Sequence, residues 1–174
     1  LWFVRHAQSE YNQKKLFTGW HDPPLTEHGI SMAGELKKEL EKVNFSHIYS
    51  SPLKRAHQTA KILVDEDRII VDDRIKERSY GDWSEKNKDQ VKDVEGEDGY
   101  RAARRGWYTS PPNGESLKDV SQRVKPFLDE LPNSGNILIV SHGNTIRAIS
   151  VLFGINTTDS VSSYEIKVGT ILKI

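Results

Sequence analysis

Two apolar runs that each end in a histidine constrain this chain more than any other feature. Leu1-Trp2-Phe3-Val4 stops abruptly at Arg5-His6, and Ile137-Leu138-Ile139-Val140 stops at Ser141-His142-Gly143-Asn144. Both runs read as short buried strands. Buried strands of α/β sheets deliver reactive side chains at their carboxyl ends, where loops open onto a crevice. A neutral imidazole is a nucleophile near pH 7, and an arginine beside it can hold an anionic group in line. Phosphate matches a guanidinium bidentately. One Arg-His at a strand end is most simply a polar terminus. Two such strands, with Arg55 opening a helix between them, describe a three-cornered cationic pocket.

Lys plus Arg and Asp plus Glu are equal at 25 each, so no global field recruits nucleic acid or an anionic membrane. Any attraction for anions must come from local clustering. The absence of Cys excludes disulfides and thiolate metal sites, and the six His lack short ligand spacing, so no metal is expected. No apolar stretch approaches membrane-spanning length and no signal peptide precedes the first strand, so a cytoplasmic location is expected. The chain opens in a strand without an initiator Met, and a few preceding residues are expected. At 174 residues it is expected to form one domain over 1–174.

The remaining pattern alternates. Tyr11 to Pro24 reads as a polar loop, and Thr26 caps a helix to Val43 with Ile30, Ala33, Leu36, Leu40 and Val43 inward. His47–Ser50 is a strand, and Ser51-Pro52 looks like a cap and first turn for a helix burying Leu53, Ala56, Ala60 and Leu63. Ile69–Val71 is a third strand, and 84–109 is polar helix. Ser116 and Asp119 form a capping box opening a helix that Pro126 should kink. Ile146, Ile149, Leu152 and Phe153 line a last helix closed by Gly154. Tyr164–Val168 and Thr170–Ile174 read as two final strands. Strands alternating with helices predict an α/β fold, a three-layer sandwich with a mostly parallel central sheet flanked by helices.

The motifs RHAQSEYN, FTGW, LTEHG, SPLKRAHQTA, ERSYG, NK, RR, GESLKD and SHGN, in that order along the whole chain, resemble the histidine phosphatase superfamily. Within it they are most similar to the 2,3-bisphosphoglycerate-dependent phosphoglycerate mutases in their compact form. The resemblance implies a phosphohistidine on His6, phosphoryl contacts from Arg5, Arg55 and His142, and an acid–base role for Glu77, which should be partly shielded. It implies substrate contacts at Ser9, Asn12, Thr18, Gly19, Tyr80, Lys88, Arg104, Arg105, Gly143 and Asn144. It also implies 2,3-bisphosphoglycerate as a phosphate-donating primer, with no metal, a small phosphorylated substrate as the partner, and no nucleic acid or membrane. A homodimer stays open. Interconversion of 3- and 2-phosphoglycerate is the expected activity, and hydrolysis of small phosphomonoesters is the alternative. Three positions depart from the family: Ala7 and Glu85 replace glycines, and Ser79 replaces a His or Asp. Glu85 is expected to bring negative charge near Lys88.

Overall fold

In the computed structural model, which describes residues 1–174, β1 (Trp2–Arg5), β2 (Phe45–Ser50), β3 (Ile69–Val71), β4 (Asn136–Ser141) and β5 (Ile171–Lys173) form one sheet in the order β3-β2-β4-β1-β5. All pairings are parallel except β1 with β5. A parallel sheet needs both faces covered, and the alternation along β4 shows how. Ile137 and Ile139 pack with Phe3 against α5 (Leu117–Asp129) and α6 (Gly143–Leu152). Leu138 and Val140 pack with Val4 and Ile48 against α2 (Glu27–Leu40) and α3 (Lys54–Leu63). Each fully buried Leu or Ile contributes about 1.5–3 kcal/mol, so a central strand with no solvent face anchors the layers. Together these give the expected three layers. No helix is long and apolar enough to cross a membrane.

Several local expectations change. The loop after β1 contains α1 (Glu10–Gln13), because Ser9 caps it in a reciprocal box with Asn12. Thr26 does cap α2, accepting from the Gly29 amide, but the inward stripe runs through Gly29, Ala33, Leu36 and Leu40, and Ile30 is 53% exposed. Ser51 does not cap α3; the cap position is Leu53, and the Ser51 hydroxyl is committed elsewhere. The 84–109 segment holds α4 (Lys88–Arg105), interrupted by Gly96 at φ +72°. The capping box of Ser116 and Asp119 forms, and α5 continues through Pro126 to Asp129. Leu152 and Phe153 end α6 on its exposed side, at 39% and 43%. Only β5 forms from the last two expected strands. Residues 164–168 run as irregular chain that supplies carbonyls to buried arginines.

Candidate active site

Sheet register brings the two histidines together. Arg5 pairs with Ser141 across β1 and β4, and the His6 amide donates to the Ser141 carbonyl at 3.0 Å. The residues one step beyond are therefore neighbours, and the His6 and His142 rings lie 5.0 Å apart between centroids, tilted by 58°. On the other side of β4, Ser50 pairs with Val140, so Ser51 is the next residue in the same row. Its hydroxyl is 2.7 Å from His142 Nε2.

Both rings are buried and held neutral. Burial, followed by the fields of Arg55 and Arg5, keeps the His6 pKa well below the usual histidine value. Burial, Arg55, His6 and Arg5 do the same for His142. His6 Nδ1 lies 2.7 Å from the Ala7 carbonyl. A carbonyl only accepts, so the single ring proton sits on Nδ1 and Nε2 carries the free lone pair. For His142 the contact runs through Ser51. The Leu53 amide donates to Ser51 Oγ at 3.3 Å, and that hydroxyl lies 2.7 Å from His142 Nε2, which it can meet as donor or as acceptor. His142 Nδ1 is a buried atom with no protein partner. A neutral His6 ring with a free Nε2 lone pair has the form that a nucleophile needs.

Around His6 lies a cavity with about 310 Å³ of empty space, lined by Arg5, Asn12, Thr18, Gly19, Arg55, Glu77, Tyr80 and Lys88. Arg55 donates to the carbonyls of Gly19 and His21 at 2.8 and 2.9 Å, and burial lowers its pKa to about 10. Arg5 donates Nη1 to the Ile166 carbonyl, and its buried Nε has no protein partner. Neither arginine has an acidic partner within ion-pair distance. Two buried, unneutralised guanidiniums beside a neutral imidazole favour an anion. Lys88 is also pushed down, to about 8, by burial first and then by Arg104 and Arg5. Gly19 adopts φ +52°, and a Cβ there would stand 3.0 Å from the Tyr80 amide nitrogen. A glycine is the residue that suits both constraints.

The other expected site residues stand one step back. Ser9 does not line the cavity; its amide and hydroxyl donate to Asn12 Oδ1, which leaves the Asn12 NH₂ free to face the cavity. Asn144 donates to the Tyr80 hydroxyl at 2.8 Å, so that hydroxyl keeps its proton for the cavity. Gly143 lets the Arg5 guanidinium approach, since a Cβ would meet Arg5 Cζ at 3.3 Å. Arg104 and Arg105 line an adjacent cavity and act on Lys88 and Arg5 through their fields.

Glu77 is buried at the cavity edge, its Oε1 accepting from the Arg78 amide at 2.9 Å. Its backbone neighbourhood is clamped from several elements. Ser141 and Thr145 hydroxyls donate to the Ile75 and Lys76 carbonyls, Arg123 donates to Arg74 and Lys76, and Trp20 Nε1 donates to Glu77 itself at 2.7 Å. Trp20 and Ser141 belong to the FTGW and SHGN motifs, but Thr145 and Arg123 lie outside every motif, and Ser51 has the sequence pattern of a cap. Trp20→Phe deletes the indole donor while keeping an aromatic face for the Lys76 ammonium, which lies 4.1 Å from the ring. It is expected to lower kcat several-fold, in line with about 0.5–1.5 kcal/mol for one hydrogen bond, with thermal unfolding little changed. Unaltered kcat in steady-state assays would refute a positioning role.

The three departures are accommodated. The Ala7 methyl packs with Leu25 and Ala33, and its amide donates to Thr59 Oγ1 at 3.1 Å. The Ser79 amide donates to Glu115 Oε2, and its hydroxyl accepts from the Gly81 amide at 3.3 Å. Glu85 adopts φ +66° and turns to Tyr11, whose hydroxyl donates to it at 2.5 Å, and to His21 Nδ1 at 3.5 Å. The carboxylate acting on Lys88 is Glu77, contrary to expectation.

A family model described as the histidine phosphatase superfamily (branch 1) matches residues 1–170. The chain belongs to the histidine phosphatase superfamily. A 2,3-bisphosphoglycerate-dependent phosphoglycerate mutase of Bartonella tribocorum is 39% identical over 175 residues, covering 93% of this chain and 85% of the relative. Among solved structures, a mycobacterial glucosyl-3-phosphoglycerate phosphatase superposes with a TM-score of 0.86 at 26% identity, covering 98% of this chain and 87% of the other. An alpha-ribazole phosphatase from Shigella flexneri gives 0.79 at 28% identity, covering 98% and 87%. As a histidine phosphatase superfamily enzyme, the chain has its cavity at the carboxyl ends of its parallel strands, where α/β sheets place ligands.

Proposed function

We propose that the chain is a phosphoglycerate mutase that interconverts 3- and 2-phosphoglycerate through a phosphohistidine on His6, primed by 2,3-bisphosphoglycerate. The observation that carries this reading is the set of cations around and beyond the His6 cavity, Lys88, Arg104 and Arg105, none of which has an acidic partner within ion-pair distance. Phosphate-ester hydrolysis needs one phosphate held and water admitted. A mutase must also hold a carboxylate and a second phosphate while the intermediate reorients, and keep water off the phosphohistidine.

His6 Nε2 attacks phosphorus as the bond to the ester oxygen breaks, and that oxygen takes the electron pair. Arg5, Arg55 and His142 bear on the equatorial oxygens, where charge spreads in the transition state. Glu77 gives the proton to the leaving oxygen and takes one from the hydroxyl that attacks in return. The primer fits: Arg5 Nε and His142 Nδ1 are buried polar atoms without protein partners. Arg5 and Arg55 would hold one phosphate, and Tyr80, Lys88, Arg104 and Arg105 the other phosphate and the carboxylate. When bound, the primer supplies the phosphoryl group that charges His6.

Hydrolysis is the second reading, favoured by the phosphatases among the similar solved structures. A coupled assay with 3-phosphoglycerate, with and without 2,3-bisphosphoglycerate and with free phosphate followed in the same tube, separates the two. Isomerisation that depends on the bisphosphate, with little phosphate released, is the expected result. Phosphate release without isomerisation would replace the mutase reading with the phosphatase one.

Lys88 adds a pH signature. With a pKa of about 8 it loses its charge as pH rises through that value, so KM for phosphoglycerate should climb on the alkaline side. Lys88→Arg keeps a permanent charge and should flatten that limb. Identical alkaline limbs in the two proteins would remove Lys88 from substrate binding.

A further inference from the structure

Arg147 is buried on α6, does not line the His6 cavity, and takes no part in the phosphoryl transfer described above. A buried cation is costly unless something compensates it. No carboxylate lies within ion-pair distance of Arg147. Burial, followed by the field of Arg105, pulls its pKa down to about 10. What the guanidinium does have is two neutral acceptors in fixed directions. Its Nε donates to the Tyr164 carbonyl at 2.7 Å, and its Nη1 donates to Asn144 Oδ1 at 3.2 Å. Residues 144 and 147 are three apart on one helix, so their side chains are neighbours. Gly143 leaves room for the contact, since a Cβ there would stand 3.3 Å from Arg147 Nη1.

The chemistry of these contacts gives them a direction. A guanidinium has N–H donors and no acceptor. Asn144 therefore turns its oxygen to Arg147, and its NH₂ is left facing the Tyr80 hydroxyl, to which it donates at 2.8 Å. The phenol oxygen is the acceptor in that bond, and Tyr80 lines the His6 cavity. The phenol proton is left for an acceptor in the cavity, such as an anionic oxygen. With the amide of Asn144 flipped, Oδ1 would face Tyr80 and draw the phenol proton back out of the cavity. The two amide orientations have nearly the same shape, so packing alone does not choose between them. A permanent donor behind Asn144 does.

We propose that Arg147 is a positioning residue that fixes the Asn144 amide and so keeps the Tyr80 hydroxyl a donor to the second anionic group of the substrate. This rests on the phosphoryl-transfer reading of the cavity and adds to it a residue that touches neither the substrate nor His6.

The test compares 3-phosphoglycerate with inorganic phosphate, which lacks a second anionic group. Their Kd values are measured by calorimetry in the full chain carrying His6→Ala, so that no turnover intervenes. Arg147→Gln should weaken 3-phosphoglycerate about tenfold, the scale of one hydrogen bond to a charged group, and leave phosphate within about twofold. Arg147→Lys, which keeps a group that only donates, should recover most of the loss. Combined with Tyr80→Phe, Arg147→Gln should cost 3-phosphoglycerate nothing further. Asn144→Asp tests the same point with the fold secured by an ion pair to Arg147. Its carboxylate faces Tyr80 with an acceptor, so its cost to 3-phosphoglycerate should be about tenfold larger with Tyr80 present than with Tyr80→Phe. The added negative charge acts equally in both backgrounds and cancels. Equal losses on the two ligands, additive losses with Tyr80→Phe, or 3-phosphoglycerate bound no tighter than phosphate would overturn the proposal. Failure of the phosphoryl-transfer reading shows separately, as no phosphohistidine in the parent protein.

Discussion

Replacing His6 with alanine is expected to lower phosphoryl transfer by at least about 10⁴-fold, because the step loses its nucleophile and not merely a binding contact. The protein should also lose the ability to take an acid-labile, alkali-stable label from a phosphodonor. The label distinguishes this prediction from simple damage to the pocket. His6 packs at the mouth of the sheet and its amide is tied to Ser141, so an alanine keeps the strand pairing and the variant should stay folded. Asn12, Arg5 and Arg55 would still bind phosphate, and KM or Kd for anions should change far less than kcat. A labelled His6→Ala protein, or one with appreciable kcat, would move the nucleophile to another residue.

The second large effect belongs to Glu77→Gln, which keeps the side chain's size and its acceptor for the Arg78 amide but removes the transferable proton. General acid–base groups contribute about 10²–10⁴-fold, and a loss of that size is expected with phosphoglycerate, whose leaving alkoxide needs a proton. With p-nitrophenyl phosphate the leaving phenolate needs none, and the first step should be nearly unaffected. The substrate dependence carries the assignment. Equal losses on both substrates would mean that Glu77 shapes the cavity without moving a proton.

The frame of this site was readable because it is written in strands. Hydrophobic runs ending in His6 and His142 placed both rings at strand ends, and parallel pairing made those ends adjacent. Arg55 is legible as the cation that opens the helix between them, and Lys88 through motif order. What was not readable is everything that depends on which atom meets which. Ser51 looks like a helix cap because Ser-Pro often is one. It became the partner of His142 because β2 lies beside β4 and in register with it. Trp20, Thr145 and Arg123 converge on the Glu77 loop from three distant segments, and no local pattern announces such a meeting. Ile30, Leu152 and Phe153 had the right spacing for a core, but helix rotation against the sheet left them outward. The partners of a site follow from tertiary register, and its reactive groups from local sequence.

The attachment of α4 has an evolutionary consequence. His6, His142 and the Glu77 loop are all secured to the sheet and to α6, whereas Arg104 and Arg105 ride on a helix broken at Gly96. That helix is held by Arg78 on the Ala103 carbonyl and by a small aromatic group of Phe17, Trp83 and Tyr100. Selection can therefore change the cations beside the cavity by altering one helix, without disturbing the strand ends that carry His6 and His142. A lineage built this way can split into isomerases and hydrolases while keeping one chemical engine, and new substrates should be found fastest in libraries confined to residues 88–105.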